Sequence, residues 1–273
     1  MIPHDRWQRV SRREPCGICR KPDWCCRGGK GWCCMRVESP RPLKNGGWFH
    51  SFDGEAPMLP PPLPKPQPPP PDMGVIMQRY WKAAHPGLEQ EAELLGVSAQ
   101  SLRWLGAAYA EERKALAIPM YDGTSYNAAH PIGIRLRSRD GRKFAVTGSK
   151  AGVFYPYGAY HAIVPNQRLL ICEGPSDSAA ALDLGFFPVG RASCRGGTEI
   201  ILNIIGQLWP DEVIVVTDND GPGVGGARAL LEVIPRPAKL FVPPTKDLRG
   251  FLRAGGSHEL LDSMVKNLLW YKK

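Results

Sequence analysis

The chain has 273 residues, a formal charge of +9 and 43% hydrophobic residues, enough for two or three small domains, each with its own core. No apolar run approaches the ~20 residues that span a bilayer, and the amino terminus is polar and arginine-rich without a hydrophobic signal core; this reads as a cytoplasmic protein with no membrane partner. The charge is unevenly spread, with 11 basic and 6 acidic residues in 1–56, 11 and 7 in 73–160, and 12 and 12 in 161–273, and such an upstream cationic excess favours a polyanion through counterion release.

Six of the eight cysteines fall within residues 16–34, which in a reducing compartment points to metal ligation more than to disulfides. Cys16-Gly17-Ile18-Cys19 forms a Cys-x-x-Cys knuckle, and the doublets Trp24-Cys25-Cys26 and Trp32-Cys33-Cys34 follow. Adjacent residues in a strand point to opposite faces, so each doublet contributes one sulfur. The expected ligands of a tetrahedral Zn²⁺ are Cys16, Cys19, Cys25 and Cys34, leaving Cys26 and Cys33 spare; His50 substitutes only if one doublet is excluded. No thioredoxin-like βαβ pattern surrounds the knuckle, which argues against a redox role for it. Arg20, Lys21, Arg27, Lys30 and Arg36, with Trp24 and Trp32 between them, suit backbone tracking and base stacking on a single strand, or else a solvated face over core aromatics.

Ten prolines in residues 57–71 exclude helix and sheet and predict an extended, semi-rigid spacer. Helical periodicity follows over 88–95, and Ser98 is placed to cap a second helix over 99–112. Residues 131–137 then alternate apolar and basic side chains, and Arg139-Asp140-Gly141-Arg142 turns the chain into a second strand over 143–147. Arg135 and Arg137 share one face of that hairpin, while Ile134 and Leu136 take the other. With Lys143 and Lys150, residues 132–150 carry six basic side chains against one acid, a composition suited to phosphate.

The downstream third alternates β and α patterns, which implies a compact, mostly parallel sheet. Two apolar strand-like runs, 169–172 and 213–217, lead directly into Glu173-Gly174-Pro175-Ser176-Asp177 and Asp218-Asn219-Asp220-Gly221. Ligands of open α/β sheets bind at the carboxyl ends of strands, and Glu173, Asp218 and Asp220 form a candidate Mg²⁺ site there. The spacing fits no EF-hand, and Gly221-Pro222-Gly223-Val224-Gly225-Gly226 is no Walker A loop because no Gly-Lys-Ser/Thr follows it.

The Glu-Gly-x-x-Asp, Asp-x-Asp and Lys-Asp elements at 173–177, 218–220 and 246–247 resemble the Toprim domain. The order of parts is similar to the primase half of phage primase-helicases, without the helicase. The resemblance implies an α/β fold: a zinc-binding ribbon at 1–56, a Pro-rich linker at 57–72, a basic α+β subdomain at 73–164, a Rossmann-like Toprim domain at 165–256 and a helical tail at 257–273. It implies a DNA primase, a nucleotidyltransferase that makes short RNA primers on single-stranded DNA from NTPs. Glu173, Asp218 and Asp220 would be catalytic and hold Mg²⁺ or Mn²⁺, with Asp177, Lys246 and Asp247 as accessory charges. Arg135, Arg137, Lys143 and Lys150 would contact nucleotide and template, and a separate replicative helicase would supply the motor. The competing readings are a Toprim-type metal-dependent nuclease, with water as nucleophile, and a non-catalytic, zinc-dependent single-strand-binding accessory protein.

Overall fold

The computed structural model describes residues 7–44, 46–53, 69–124, 130–156 and 168–271. The chain divides into two compact units, Met1–Pro68 and Pro69–Lys273. Most of the proline-rich segment read as a spacer, residues 57–68, lies outside the described residues.

The first unit is a small antiparallel sheet in the order β1-β2-β3-β4, formed by β1 (Gln8–Arg9), β2 (Cys26–Gly28), β3 (Gly31–Cys34) and β4 (Trp48–Ser51). Its buried interior is little more than Cys16, Cys25 and Cys34, with Val10, Ile18, Trp32 and Met35 packed around them. So small an apolar core stabilises little by itself, and folding must draw on something bound among those sulfurs.

The second unit opens with three helices, α1 (Met73–Ala83), α2 (Gly87–Leu95) and α3 (Ala99–Trp104). Asp72 caps α1 by accepting from the backbone N–H groups of Gly74 and Val75, and Ser98 caps α3 through Ser101. The helix expected to run to residue 112 stops at Trp104. Gly106 adopts φ +73°, and the chain then forms β5 (Ala108–Ala110), which pairs antiparallel with β6 (Ala115–Met120). Alanine prefers helix, yet full burial between neighbours outweighs that weak preference and the small side chains let the strands sit in a crowded interior. β7 (Gly133–Ser138) and β8 (Lys143–Ala145) complete the sheet in the order β5-β6-β7-β8. Ile134 and Leu136 are buried, as the alternation predicts.

A second sheet of this unit has the order β13-β12-β10-β11-β9. It comprises β9 (Val153–Phe154), β10 (Arg168–Cys172), β11 (Phe187–Arg191), β12 (Glu212–Val216) and β13 (Ala238–Phe241). All neighbours are parallel except β9, which runs antiparallel to β11. The interleaved helices are α4 (Pro175–Asp183), α5 (Thr198–Leu208), α6 (Gly221–Leu231), α7 (Leu248–Arg253) and α8 (His258–Lys266). Ile171 and Val215 are fully buried, each stabilising by about 1.5–3 kcal/mol relative to exposure. One core joins the two sheets, running from Leu95, Leu102, Leu116 and Ile118 to Leu170, Ala180 and Ile214. Asp183 ties them again, accepting from the Ser98 N–H at 2.7 Å and the Ser101 hydroxyl at 2.6 Å.

At the amino-terminal edge of the parallel sheet, Glu212 bridges two cations, Lys239 at 2.7 Å and Arg168 at 2.5 Å. Arg168 also pairs with Asp262 of α8, which fastens the last helix to the sheet. No helix among the described residues is long and apolar enough to cross a membrane.

Candidate active site

In the first unit the sulfurs of Cys16, Cys19, Cys25 and Cys34 lie within 4.8 Å of one another, with Cys19 and Cys25 at 3.6 Å. A tetrahedron with Zn–S bonds of ~2.3 Å has edges of about 3.8 Å, so donor type and spacing both fit Zn²⁺. The knuckle closes through Arg20 N–H donating to the Cys16 carbonyl at 2.8 Å. Met35 N–H points at the Cys25 sulfur and Val37 N–H at the Cys34 sulfur, an arrangement that favours thiolate. Burial pushes the Cys25 thiol up to about 12, whereas the Cys19 thiol, burial notwithstanding, is drawn down to about 7 by the Lys21 backbone N–H and neighbouring thiols. Thiolates this close repel one another, and a cation among them would relieve that repulsion. His50 stands outside the group, its Nε2 3.0 Å from the Val37 carbonyl oxygen.

In the second unit the acids gather at the carboxyl edge of the parallel sheet. Glu173 follows β10 and Asp218 follows β12, and these strands are direct neighbours. Asp220 caps α6 through Gly223 N–H at 2.7 Å, and Asp247 caps α7 through Gly250 N–H at 2.6 Å. Glu173 Oε1 accepts from the Thr217 hydroxyl at 2.6 Å and the Asp218 N–H at 3.2 Å. Gly174 takes φ +156°, ψ 177°, a conformation essentially restricted to glycine, which turns the chain from strand into helix. Gly223 is equally constrained, because a Cβ there would stand 2.7 Å from Glu173 Oε1.

These carboxylates crowd one another. Burial, followed by the charges of Asp177, Glu173, Asp247 and Asp220, pushes the Asp218 carboxyl up to about 6. Burial and Asp247 likewise raise Asp177, although it accepts the Arg249 N–H at 3.1 Å. Among the described residues only the four cysteines bring three or more metal-ligating atoms within 4.8 Å of one another; the carboxylates stand further apart.

Glu173 lines a narrow cleft together with Arg135, Arg137, Lys143, Ser176 and Arg191, over an apolar floor that includes Leu116, Ile118 and Phe154. Arg135 donates to the Ala192 carbonyl at 3.3 Å, while its Nε is buried with no hydrogen-bond partner. Burial, then the nearby Arg249, weakens the hold of Arg137 on its proton. Arg191 is 3% exposed, and its guanidinium pKa is lowered by burial, with the charges of Glu173 and Cys194 opposing. Arg135, Arg137, Lys143 and Arg191 thus line the cleft with Glu173, a local cationic excess that suits an anion, with Asp177 close enough to act on Arg137 and Lys143.

No family model matches the sequence, and no curated protein does. Solved structures do: the Escherichia coli primase catalytic core superposes with a TM-score of 0.57 at 16% identity, over 72% of this chain and 79% of that one. The Aquifex aeolicus primase zinc-binding and RNA polymerase domains give 0.59 at 13%, over 72% and 60%. A DnaG primase catalytic domain bound to single-stranded DNA gives 0.58 at 16%, over 72% and 78%. The chain has the fold of a primase catalytic core.

Within that primase-like core the remaining expected residues take different places. Asp177 sits in the first turn of α4 beside the acidic edge. Lys246 is exposed, its carbonyl accepting from Asn219 N–H at 2.7 Å, and the cation paired with Asp247 is instead Arg249, at 3.2 Å. Lys150 is exposed and does not line the cleft; its charge acts on Asp122. Sequence reasoning missed Arg191 and Arg249. The signal for Arg191 lies in the register: Cys172 pairs with Gly190, which brings Arg191 level with Glu173.

Proposed function

We propose that this chain is a DNA primase, joining ribonucleotides on a single-stranded DNA template by metal-dependent nucleotidyl transfer. The observation that carries this reading is the facing of four cations, Arg135, Arg137, Lys143 and Arg191, against Glu173 in one cleft. Its acidic edge lies in a fold shared with primase cores. A nucleoside triphosphate matches the cationic wall, since its phosphates pair with guanidinium forks.

Glu173, Asp218 and Asp220 are assigned as ligands of Mg²⁺ or Mn²⁺, with Asp177 and Asp247 lending further negative charge. The crowding that lifts Asp218 is relieved by a cation, so the residues present fit one. A divalent ion held by these carboxylates would supply positive charge to offset that of the phosphates. Arg135, Arg137, Lys143 and Arg191 orient the triphosphate and stabilise the charge that gathers on the departing pyrophosphate. Glu173, held by Thr217 through one oxygen, keeps the other for a metal or, as the alternative role, for the proton of the attacking hydroxyl.

The four-cysteine ribbon is assigned a structural Zn²⁺ and a role in gripping template. Trp24 is 78% exposed there, with the Arg36 guanidinium 5.5 Å from its ring centroid, a pairing that suits base stacking. One of the solved primase cores is bound to single-stranded DNA, which supports the same partner here. A replicative helicase completes the proposal as the partner that would expose the template strand.

The test is incubation with single-stranded DNA, labelled ribonucleotides and Mg²⁺ or Mn²⁺. Short labelled RNA is the expected product. DNA cut with nothing synthesised makes water the nucleophile and the protein a nuclease, and the primase reading then fails.

A further inference from the structure

We propose that Cys26 and Cys33 form a reversible cross-strand dithiol–disulfide pair on the face of the ribbon hairpin away from the four-sulfur cluster. This inference is independent of the primase reading. β2 and β3 pair antiparallel with Cys26 directly opposite Cys33. Side chains alternate along a strand, so the residues next to Cys25 and Cys34, whose sulfurs belong to the cluster, project to the other side. Neither Cys26 nor Cys33 is fully buried, and both are free thiols.

Directly opposed residues of an antiparallel pair have Cα atoms about 4.5–5.5 Å apart, inside the range of about 4.4–6.8 Å that a disulfide spans. Their Cβ atoms lie about 4.5–5.5 Å apart, at or just beyond the usual disulfide spacing, so closure draws the strands slightly together. A bond formed under such a demand is readily reduced again, the mark of a labile rather than a structural disulfide. The same row of the sheet continues to Arg9 opposite Cys26 and Phe49 opposite Cys33. One side is therefore open to a small polar oxidant, because Arg9 is exposed.

The chemistry balances with a low-molecular-weight disulfide such as oxidised glutathione. One cysteine thiolate attacks it, forming a mixed disulfide and releasing one glutathione thiolate, which takes up a proton. The second cysteine attacks the mixed disulfide and releases the other glutathione. Two protein thiols lose two electrons and two protons, and the oxidant becomes two thiols. All four cluster thiolates are left untouched, so oxidation cross-links the hairpin beside the metal without consuming a ligand.

The experiment treats the full-length, zinc-loaded protein with oxidised glutathione, blocks remaining thiols by alkylation, digests with trypsin and reads the peptides by mass spectrometry alongside zinc content. Arg27 and Lys30 lie between the two cysteines, so trypsin separates their peptides unless they are bonded, and fragmentation of the linked pair tells Cys26 from Cys25 and Cys33 from Cys34. The expected result is a Cys26–Cys33 linked peptide pair, reversed by a thiol reductant, with zinc unchanged at about one per chain. Cys26→Ser should instead leave a glutathione adduct on Cys33, and Cys33→Ser the adduct on Cys26, each variant's zinc content reporting that it has folded. Separate adducts on both cysteines of the wild type, a bond to any of the four cluster cysteines, or loss of zinc on oxidation would each overturn the proposal.

Discussion

Thr217 donates its hydroxyl to the Glu173 carboxylate at 2.6 Å, so the acid at the end of one strand is oriented by the residue that closes its parallel neighbour. The hydroxyl is buried and holds one acid oxygen while the other stays available. Thr217→Val keeps the shape and removes the bond. A hydrogen bond to a charged group is worth about 1.5–3 kcal/mol, so Tm should fall, and primer synthesis per folded molecule should drop about tenfold or more with a higher Mg²⁺ requirement. An unaltered Mg²⁺ requirement would show that Thr217 does not position the acid.

Asp218 gives the site a pH dependence. Its folded value of about 6 lies above the unfolded value of ~3.9, so between the two the folded state binds more protons. Stability of the metal-free protein therefore falls as pH rises through that window. A divalent cation competes with the proton, and its stabilising effect should grow across the same window. Thermal melts should show a small Mg²⁺-induced rise in Tm at about pH 5 and a larger one at about pH 7.5. Asp218→Asn should flatten the difference and raise the Tm of the metal-free protein at the higher pH. Equal Mg²⁺ effects at both pH values would contradict the crowding of carboxylates at this edge.

Arg191 binds the triphosphate in this account, and its Nε also donates to the Gly196 carbonyl at 3.1 Å. Arg191→Leu should raise KM for nucleotide about tenfold or more through the loss of charge-assisted hydrogen bonds. Template affinity should change less. Steady-state kinetics with Tm measured in parallel separate binding from folding: a lower Tm with unchanged KM would make the residue purely structural.

Several of these relationships were legible in the sequence and others were not, for physical reasons. Alternation at residues 133–138 specified which face is apolar, because period two has no other use, and Ile134 and Leu136 are buried accordingly. The parallel sheet was readable from β-branched runs ending in turn residues. The cysteine doublets carried their own geometry, since alternation allows only one sulfur of each to face the cluster. Residues 105–112 misled because alanine propensity speaks for helix, while the deciding contact, with 115–117, is tertiary. Arg191 was invisible for a related reason: a lone arginine in Pro-Val-Gly-Arg-Ala matches no motif, and only the pairing of β10 with β11 sets it beside Glu173. Arg249 escaped because the motif drew attention to Lys246, yet the first turn of α7 turns Arg249 back onto Asp247.

Glu212 tests the scaffold apart from the chemistry. It neutralises Lys239 and Arg168 at the edge of the sheet opposite the acids. Glu212→Gln leaves the buried Lys239 without a carboxylate partner and Arg168 with Asp262 alone, which should cost about 3 kcal/mol in denaturant-induced unfolding. Activity per folded molecule should be unchanged. A loss below about 1 kcal/mol would mean that solvent already screens the network.

The central claim is that the acids at the ends of β10 and β12 join a nucleotide hydroxyl to a nucleoside triphosphate on a DNA template. The most direct measurement uses ribonucleotides labelled on the γ-phosphate, because only a chain started from a nucleotide keeps that label at its first residue. With unlabelled single-stranded DNA and Mg²⁺ or Mn²⁺, short labelled oligonucleotides should form that require template and disappear in Asp218→Asn. Absence of labelled product from a metal-replete, folded protein, with fragmentation of the DNA in its place, would contradict it.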